Sequence, residues 1–181
     1  MRRSLELAAF LVPAAALVSP AFATDYLTVA QARTLLFPSA RTFQEHTLKF
    51  SDEQRGRIKA AAGVRQRGEE QKVWRAERDG QLLGWFIVDE VIGKHEFITY
   101  AAALSPDGKV LGLEVMSYRE THGGQVRDAG WRQHFAGKTL ADPFKLDEDV
   151  PNISGATLSC RNLTDGVKRL LVIQKLFLAH A

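Results

Sequence analysis

One cysteine, Cys160, is all that the 181 residues carry, so no intramolecular disulfide staples this chain. No His/Cys cluster has the spacing of metal ligands, which argues against a zinc or iron–sulfur site. The 24 basic and 21 acidic residues leave a net charge of only +3 and are spread along the sequence. No basic stripe interleaved with exposed aromatics stands out, so nucleic acid is not an expected partner. Nothing repeats on the scale of 20–50 residues, which excludes solenoids and propellers. What is present, 45% apolar and 25% charged residues, is the composition of one ordinary globular domain with enough chain to bury a core.

The one long apolar stretch lies at the start. Arg2-Arg3 supplies a positive leader, Leu5 to Val18 is apolar apart from Glu6, and Ser19-Pro20 breaks the run ahead of Ala21-Phe22-Ala23. That is the pattern of a cleaved signal peptide over residues 1–23. The apolar core, interrupted by Pro13, is short for a spanning helix of about 20 residues. The expectation is an exported, periplasmic protein that matures near Thr24; an uncleaved membrane anchor is the alternative.

Residues 24–70 read as an N-terminal helical region. Thr28 is placed to cap a helix whose Val29, Ala32, Leu35 and Leu36 share one face before Pro38. Phe43 to Phe50 fits either a short strand or a loop. Ser51-Asp52-Glu53-Gln54 reads as a capping box that opens a polar helix ending near Gly63. A meander follows: Lys72 to Arg78, the Asp79-Gly80 hairpin signal, Gln81 to Val91, Phe97 to Leu104, and Lys109 to Tyr118. Leu82 to Val88 is apolar on both faces and belongs in the centre of the sheet. A short helix is expected over Arg127 to Phe135, stopped at Gly137, and a long one from Leu158 to about Leu178. Leu163, Val167, Leu170, Leu171 and Phe177 would be the buried stripe of that last helix. The fold class expected is α+β: an antiparallel sheet meander flanked by helices, with the long C-terminal helix following a functional loop.

That loop is Ile153-Ser154-Gly155-Ala156-Thr157-Leu158-Ser159. It follows an acidic, proline-marked stretch, Asp147-Glu148-Asp149-Val150-Pro151-Asn152, and leads directly into the last helix. The first N–H groups of a helix lack intrahelical partners and carry the positive end of its dipole, so an anion on the Thr157 hydroxyl would be stabilised, phosphate being the usual one. Thr157 also suits a plain helix N-cap.

Ser154-Gly155-Ala156-Thr157 resembles the (S/T)GAT attachment site of the FMN-binding domain family. That family includes the flavoprotein subunits of the sodium-pumping quinone reductase and of the Rnf complexes. A second landmark agrees: Glu120-Thr121-His122-Gly123-Gly124 resembles the family's Glu-Thr-Pro-Gly-type loop, with His122 in place of the proline. The resemblance runs from about Gly93 to Val172 and makes residues 71–181 the FMN-binding domain. It implies that Thr157 carries FMN through a phosphodiester, installed by a flavin transferase that uses FAD. Ser154, Gly155, Ala156 and Ser159 would shape the phosphate site. Glu120, Thr121, His122 and Gly123 would approach the isoalloxazine or its ribityl chain, and Asp147 and Asp149 would form the transferase's recognition element.

Some residues carry two readings. His122 fits a flavin hydrogen-bond donor as well as an exposed loop histidine. Gly123-Gly124 permit close backbone approach, which would suit a loop lying against a planar ring. Arg127 is a flavin counter-charge or a solvated first-turn residue. Lys94-His95-Glu96 receives no role. Cys160 beside His122 or His95 hints at a nucleophile and base, but its place three residues before Leu163 puts it on the buried side of the helix as an inert small hydrophobe.

The function implied is that of an exported electron-transfer flavoprotein rather than a stand-alone enzyme, passing electrons between membrane or periplasmic redox proteins. The alternatives are a non-catalytic periplasmic binding or interaction module without flavin, and a flavin-dependent reductase with its own small-molecule acceptor.

Overall fold

The computed structural model describes residues 25–180, and the expected signal peptide lies outside the described residues. Thr28 opens α1 (Val29–Leu36) through a full capping box, its hydroxyl accepting the Gln31 N–H while the Gln31 side chain accepts the Thr28 N–H. Ser51 does the same for α2 (Asp52–Ala62) with Gln54, and Gly63 closes that helix in the left-handed conformation. Between them, Phe43 to Phe50 is part strand and part loop: β1 (Thr42–Glu45) and β2 (Leu48–Lys49) are separated by His46 and Thr47. Both pair with the same β3 (Glu70–Arg78), which makes them one broken edge strand.

β3, β4 (Gln81–Ile92), β5 (Phe97–Leu104) and β6 (Val110–Ser117) form an antiparallel meander in the order β1-β3-β4-β5-β6. β4 is central, as its two-sided apolar pattern requires. Trp85, Ile87 and Val91 face a core shared with α2 and the last helix, whereas Phe86 faces a smaller one shared with α1. The sheet is therefore covered on both sides. The connection after β6 is less helical than its sequence suggests. One α-turn, α3 (Ala129–Arg132), is flanked by 3-10 turns at Gly124–Arg127 and Gln133–Phe135, because Asp128 between the first two is extended.

The last helix, α4 (Thr157–Ile173), starts one residue earlier than expected and ends in a wider π turn over Gln174–Leu178. There Gln174, itself buried, donates its side-chain amide to the Pro106 carbonyl at 2.9 Å, which ties the helix end to the β5–β6 turn. Leu163, Val167, Leu170 and Leu171 are buried as predicted, and Phe177 is partly buried against the Phe50 ring at 5.2 Å between centroids. Midway along the helix, Arg169 donates to the Asp89 carboxylate at 2.5 Å and to the Arg65 carbonyl at 2.9 Å. Tyr100 donates to the same carboxylate at 2.6 Å. This buried network bolts α4 to the centre of the sheet and so fixes where its first turn sits. No helix among the described residues is long and apolar enough to cross a membrane.

Candidate functional site

Ile153 to Ala156 makes a turn closed by the Ala156 N–H on the Ile153 carbonyl at 2.9 Å. Gly155 takes φ +80° in it, a conformation that side chains resist. The turn delivers Thr157 as the first residue of α4, with Ala156 in the N-cap position and no side-chain cap. Thr157 is therefore not the N-cap that its sequence position also suited. The first helical bond, from the Cys160 N–H to the Ala156 carbonyl at 2.9 Å, leaves the N–H groups of Thr157, Leu158 and Ser159 without a backbone acceptor among the described residues.

These residues form one wall of a groove of about 440 Å³, within the range of small-molecule sites. Gly155, Ala156, Thr157, Leu158 and Ser159 line it from α4, and Glu120, Thr121 and His122 from the loop after β6. The two sequence landmarks, more than thirty residues apart, thus share one cavity. Ser154 is exposed on the turn, outside the groove lining. A third wall comes from Lys94 and His95, to which sequence reasoning assigned no role.

What joins the walls is equally specific. The Glu120 carboxylate accepts the N–H groups of His95 at 2.6 Å and Glu96 at 3.0 Å, so its charge is engaged in clamping the β4–β5 turn. Burial by itself would raise this carboxyl's pKa, but the backbone donors of Glu96, His95 and Lys94 outweigh it and hold it below the ordinary value. Gly123, at φ +86°, has no room for a side chain: a Cβ there would collide with the Ala156 Cβ. The close approach that this glycine permits is to the Ile153–Ala156 turn, not to the open cavity, and Gly124 has nothing near it.

The acidic stretch divides into two parts. The Asp149 carboxylate receives the Lys138 ammonium at 2.6 Å and the N–H groups of Lys145 at 2.7 Å and Phe144 at 3.1 Å. Burial opposes its ionisation, yet these donors depress its pKa below the ordinary value. Asp149 therefore organises its own loop. Asp147 is exposed at φ +63°, and among the described residues its carboxylate accepts only the Asn152 N–H, at 3.3 Å. Trp131 holds the next stretch, its indole N–H on the Pro151 carbonyl at 2.8 Å.

Arg127 serves neither expected role: its guanidinium stacks on Tyr26, 3.2 Å from the ring centroid, outside the groove lining. Cys160 is fully buried in the core, and burial pushes its thiol pKa up, so it is no thiolate nucleophile. A larger cleft, of about 560 Å³, lies between the Val64–Arg67 segment and the middle of α4. It shares no residue with the groove. The residue nearest a helix start in it, Arg55, already gives its N–H to the Ser51 carbonyl, and its Arg169 is committed to Asp89. The smaller groove holds the better chemistry.

Residues 93–172 match the family model described as the FMN-binding domain. A component of the ion-translocating oxidoreductase complex of Stutzerimonas stutzeri is 31% identical over 114 residues, which covers 57% of this chain and 50% of that protein. The chain thus spans half the length of the curated relative it matches. The crystal structure of Shewanella oneidensis NqrC superposes with a TM-score of 0.49 at 22% identity, over 74% of this chain and 66% of that one. A component of the Na(+)-translocating NADH-quinone reductase from Parabacteroides distasonis gives 0.43 at 15% identity, over 71% and 78%.

Proposed function

We propose that this chain, whose residues 93–172 match the FMN-binding domain model, carries FMN in the Thr157 groove, linked through a phosphodiester to the Thr157 hydroxyl, and serves as an exported electron-transfer flavoprotein. The observation that carries this reading is the uncapped first turn of α4, whose free N–H groups of Thr157, Leu158 and Ser159 flank a threonine that lines the groove. A phosphodiester on Thr157 is negatively charged, and unpaired helix N–H groups are suited to hold it. The Ser159 hydroxyl adds a further donor on the same wall. His122 and Thr121 face the cavity from the loop, where they would contact the ring or its ribityl chain. FMN would supply the electron chemistry, and the protein tethering, orientation and the local field.

Attachment requires the Thr157 hydroxyl to lose its proton as an Oγ–P bond replaces the pyrophosphate bond of FAD, with AMP leaving. The exposed Asp147 suits recognition by a flavin transferase better than Asp149, which is held within its own loop. A tether also keeps the cofactor from diffusing away once the protein is outside the cytoplasm. The redox partners are membrane or periplasmic proteins, in keeping with the complex that the Stutzerimonas relative is named for.

Intact-mass measurement on protein isolated from its native compartment tests export and attachment together. The expected species lacks residues 1–23 and carries one FMN. Thr157→Ala should carry none, while Ser154→Ala keeps it. A denatured Thr157→Ala protein that still fluoresces as a flavin would overturn the assignment.

A further inference from the structure

Tyr118 lies one residue beyond β6, is nearly fully buried, and takes no part in the groove lining. Its hydroxyl nevertheless lies against both segments that carry the two landmarks, the loop after β6 and the first turn of α4. It donates to the His122 carbonyl, it lies 3.3 Å from the Ser159 Oγ, and it stands 2.7 Å from the position a Cβ on Gly123 would take. We propose that Tyr118 is a positioning residue, which sets the donor pattern of the cofactor groove from beneath it by holding the His122 carbonyl inward and leaving the Ser159 hydroxyl proton available to an anion.

Counting protons gives the pattern. A phenol has one, and here it goes to the His122 carbonyl. That carbonyl is therefore turned towards the phenol and away from the cavity, which removes an acceptor that would repel a phosphodiester. The phenol has then nothing left to donate to Ser159. Towards Tyr118 the Ser159 hydroxyl can then only donate, across a long 3.3 Å contact, and its proton is otherwise free to turn into the groove. A weakly engaged donor beside the free N–H groups of the first turn is what an incoming phosphate needs. Burial pushes the Tyr118 pKa up, so the phenol keeps the proton on which this arrangement depends. The sequence carries no signal for this role beyond a tyrosine two residues before Glu120.

The inference rests on the FMN reading, and the test separates the two. The full chain is co-expressed with a flavin transferase as wild type, Tyr118→Phe, Ser159→Ala, the double variant, and Ile58→Ala, a buried change under α2 remote from the groove. Flavin incorporation over time is read by in-gel fluorescence, and the midpoint potential by spectroelectrochemistry. Wild type without covalent flavin would sink the FMN reading, and this inference with it, before any variant is compared.

With wild type loaded, Tyr118→Phe should load roughly tenfold to a hundredfold more slowly, the scale of a misplacement of about 1 Å. Its loaded fraction should shift in potential. Ser159→Ala should cost less in the Tyr118→Phe background than alone, because both act on one donor. Ile58→Ala should lower Tm without changing loading rate or potential. Two results would overturn the role: Tyr118→Phe matching wild type in rate and potential, or matching Ile58→Ala by losing only Tm.

Discussion

The first turn and the middle of α4 treat their polar groups in opposite ways. At Arg169 the charges are enclosed and paired: the guanidinium and the Tyr100 hydroxyl both donate to the Asp89 carboxylate, the Arg65 carbonyl is a further acceptor, and only the Arg169 Nε has no partner among the described residues. At Thr157 the helix begins with no side-chain cap, its first N–H groups have no backbone acceptor among the described residues, and its first residues line a groove. A buried charge left without a counter-charge is costly, and so in the middle of the helix the charges have to be paired. An open first turn is hydrated at little cost and remains ready for an anion. Structure lies where polar groups are paired and function where they are spare, and the same helix provides both. The paired region aims the unpaired one.

The most severe way to break this division is to unpair the middle. Arg169→Met leaves the Asp89 carboxylate buried with only Tyr100 to support it, and should cost about 3–5 kcal/mol in denaturant unfolding. Thr157→Ala should leave stability within about 0.5 kcal/mol of wild type, because no packing core or cap is lost, while abolishing covalent flavin. If Thr157→Ala destabilised the fold as much as Arg169→Met, the first turn would be structural after all.

Asp149 sharpens the comparison by bringing a matched pair close to the attachment turn. Asp149→Ala strands the nearly buried Lys138 ammonium and two backbone N–H groups, and should cost about 2–3 kcal/mol. The pH dependence has a definite sign. A carboxyl whose folded pKa is depressed stabilises fully above its unfolded value of about 3.9, and that stability fades as pH falls through the folded value. The gap between wild type and Asp149→Ala in urea titrations should therefore be constant near neutrality and narrow below about pH 4. A gap that widened on acidification would contradict the ion pair.

Gly123→Ala attacks the seam between the two landmarks. The added methyl would meet Ala156 and the Tyr118 hydroxyl in a left-handed backbone, at a cost of about 1–3 kcal/mol, and loading should slow as the loop lifts from the turn. This seam marks the limit of what the sequence discloses. The capping boxes at Thr28 and Ser51, the Asp79-Gly80 hairpin and the central β4 are local patterns, and each is legible where it stands. Ser154 to Thr157 and Glu120 to Gly124 were legible as motifs, and a shared groove was implied by their resemblance alone. Tyr118 over Ser159, and Asp89 with Arg169, are pairs 41 and 80 residues apart. Nothing local in either partner indicates the other. For the same reason Glu120 reads in sequence as a group near the ring, whereas the fold turns its carboxylate to the β4–β5 turn.

The smallest expected effect falls on His122, a landmark residue left exposed on the groove. Its backbone carbonyl is fixed by Tyr118, and so removing the imidazole should not move the loop. On the proposed reading a phosphodiester tether, not this side chain, retains the cofactor, so His122→Ala should stay fully loaded. What changes is the field at the ring. A hydrogen bond whose strength differs by about 1 kcal/mol between oxidised and reduced flavin shifts a two-electron potential by roughly 20 mV. A hydrogen bond donated by the imidazole is stronger to the more negative, reduced cofactor, so His122→Ala should show a lower potential than wild type. Glu120→Ala should behave differently from the outset, since it frees the His95 and Glu96 N–H groups and loosens a wall of the groove. Spectroelectrochemical titration of the three proteins across pH separates the two residues. If His122→Ala matches wild type at every pH, the imidazole lies away from the ring, and the loop acts on the cofactor only through its backbone.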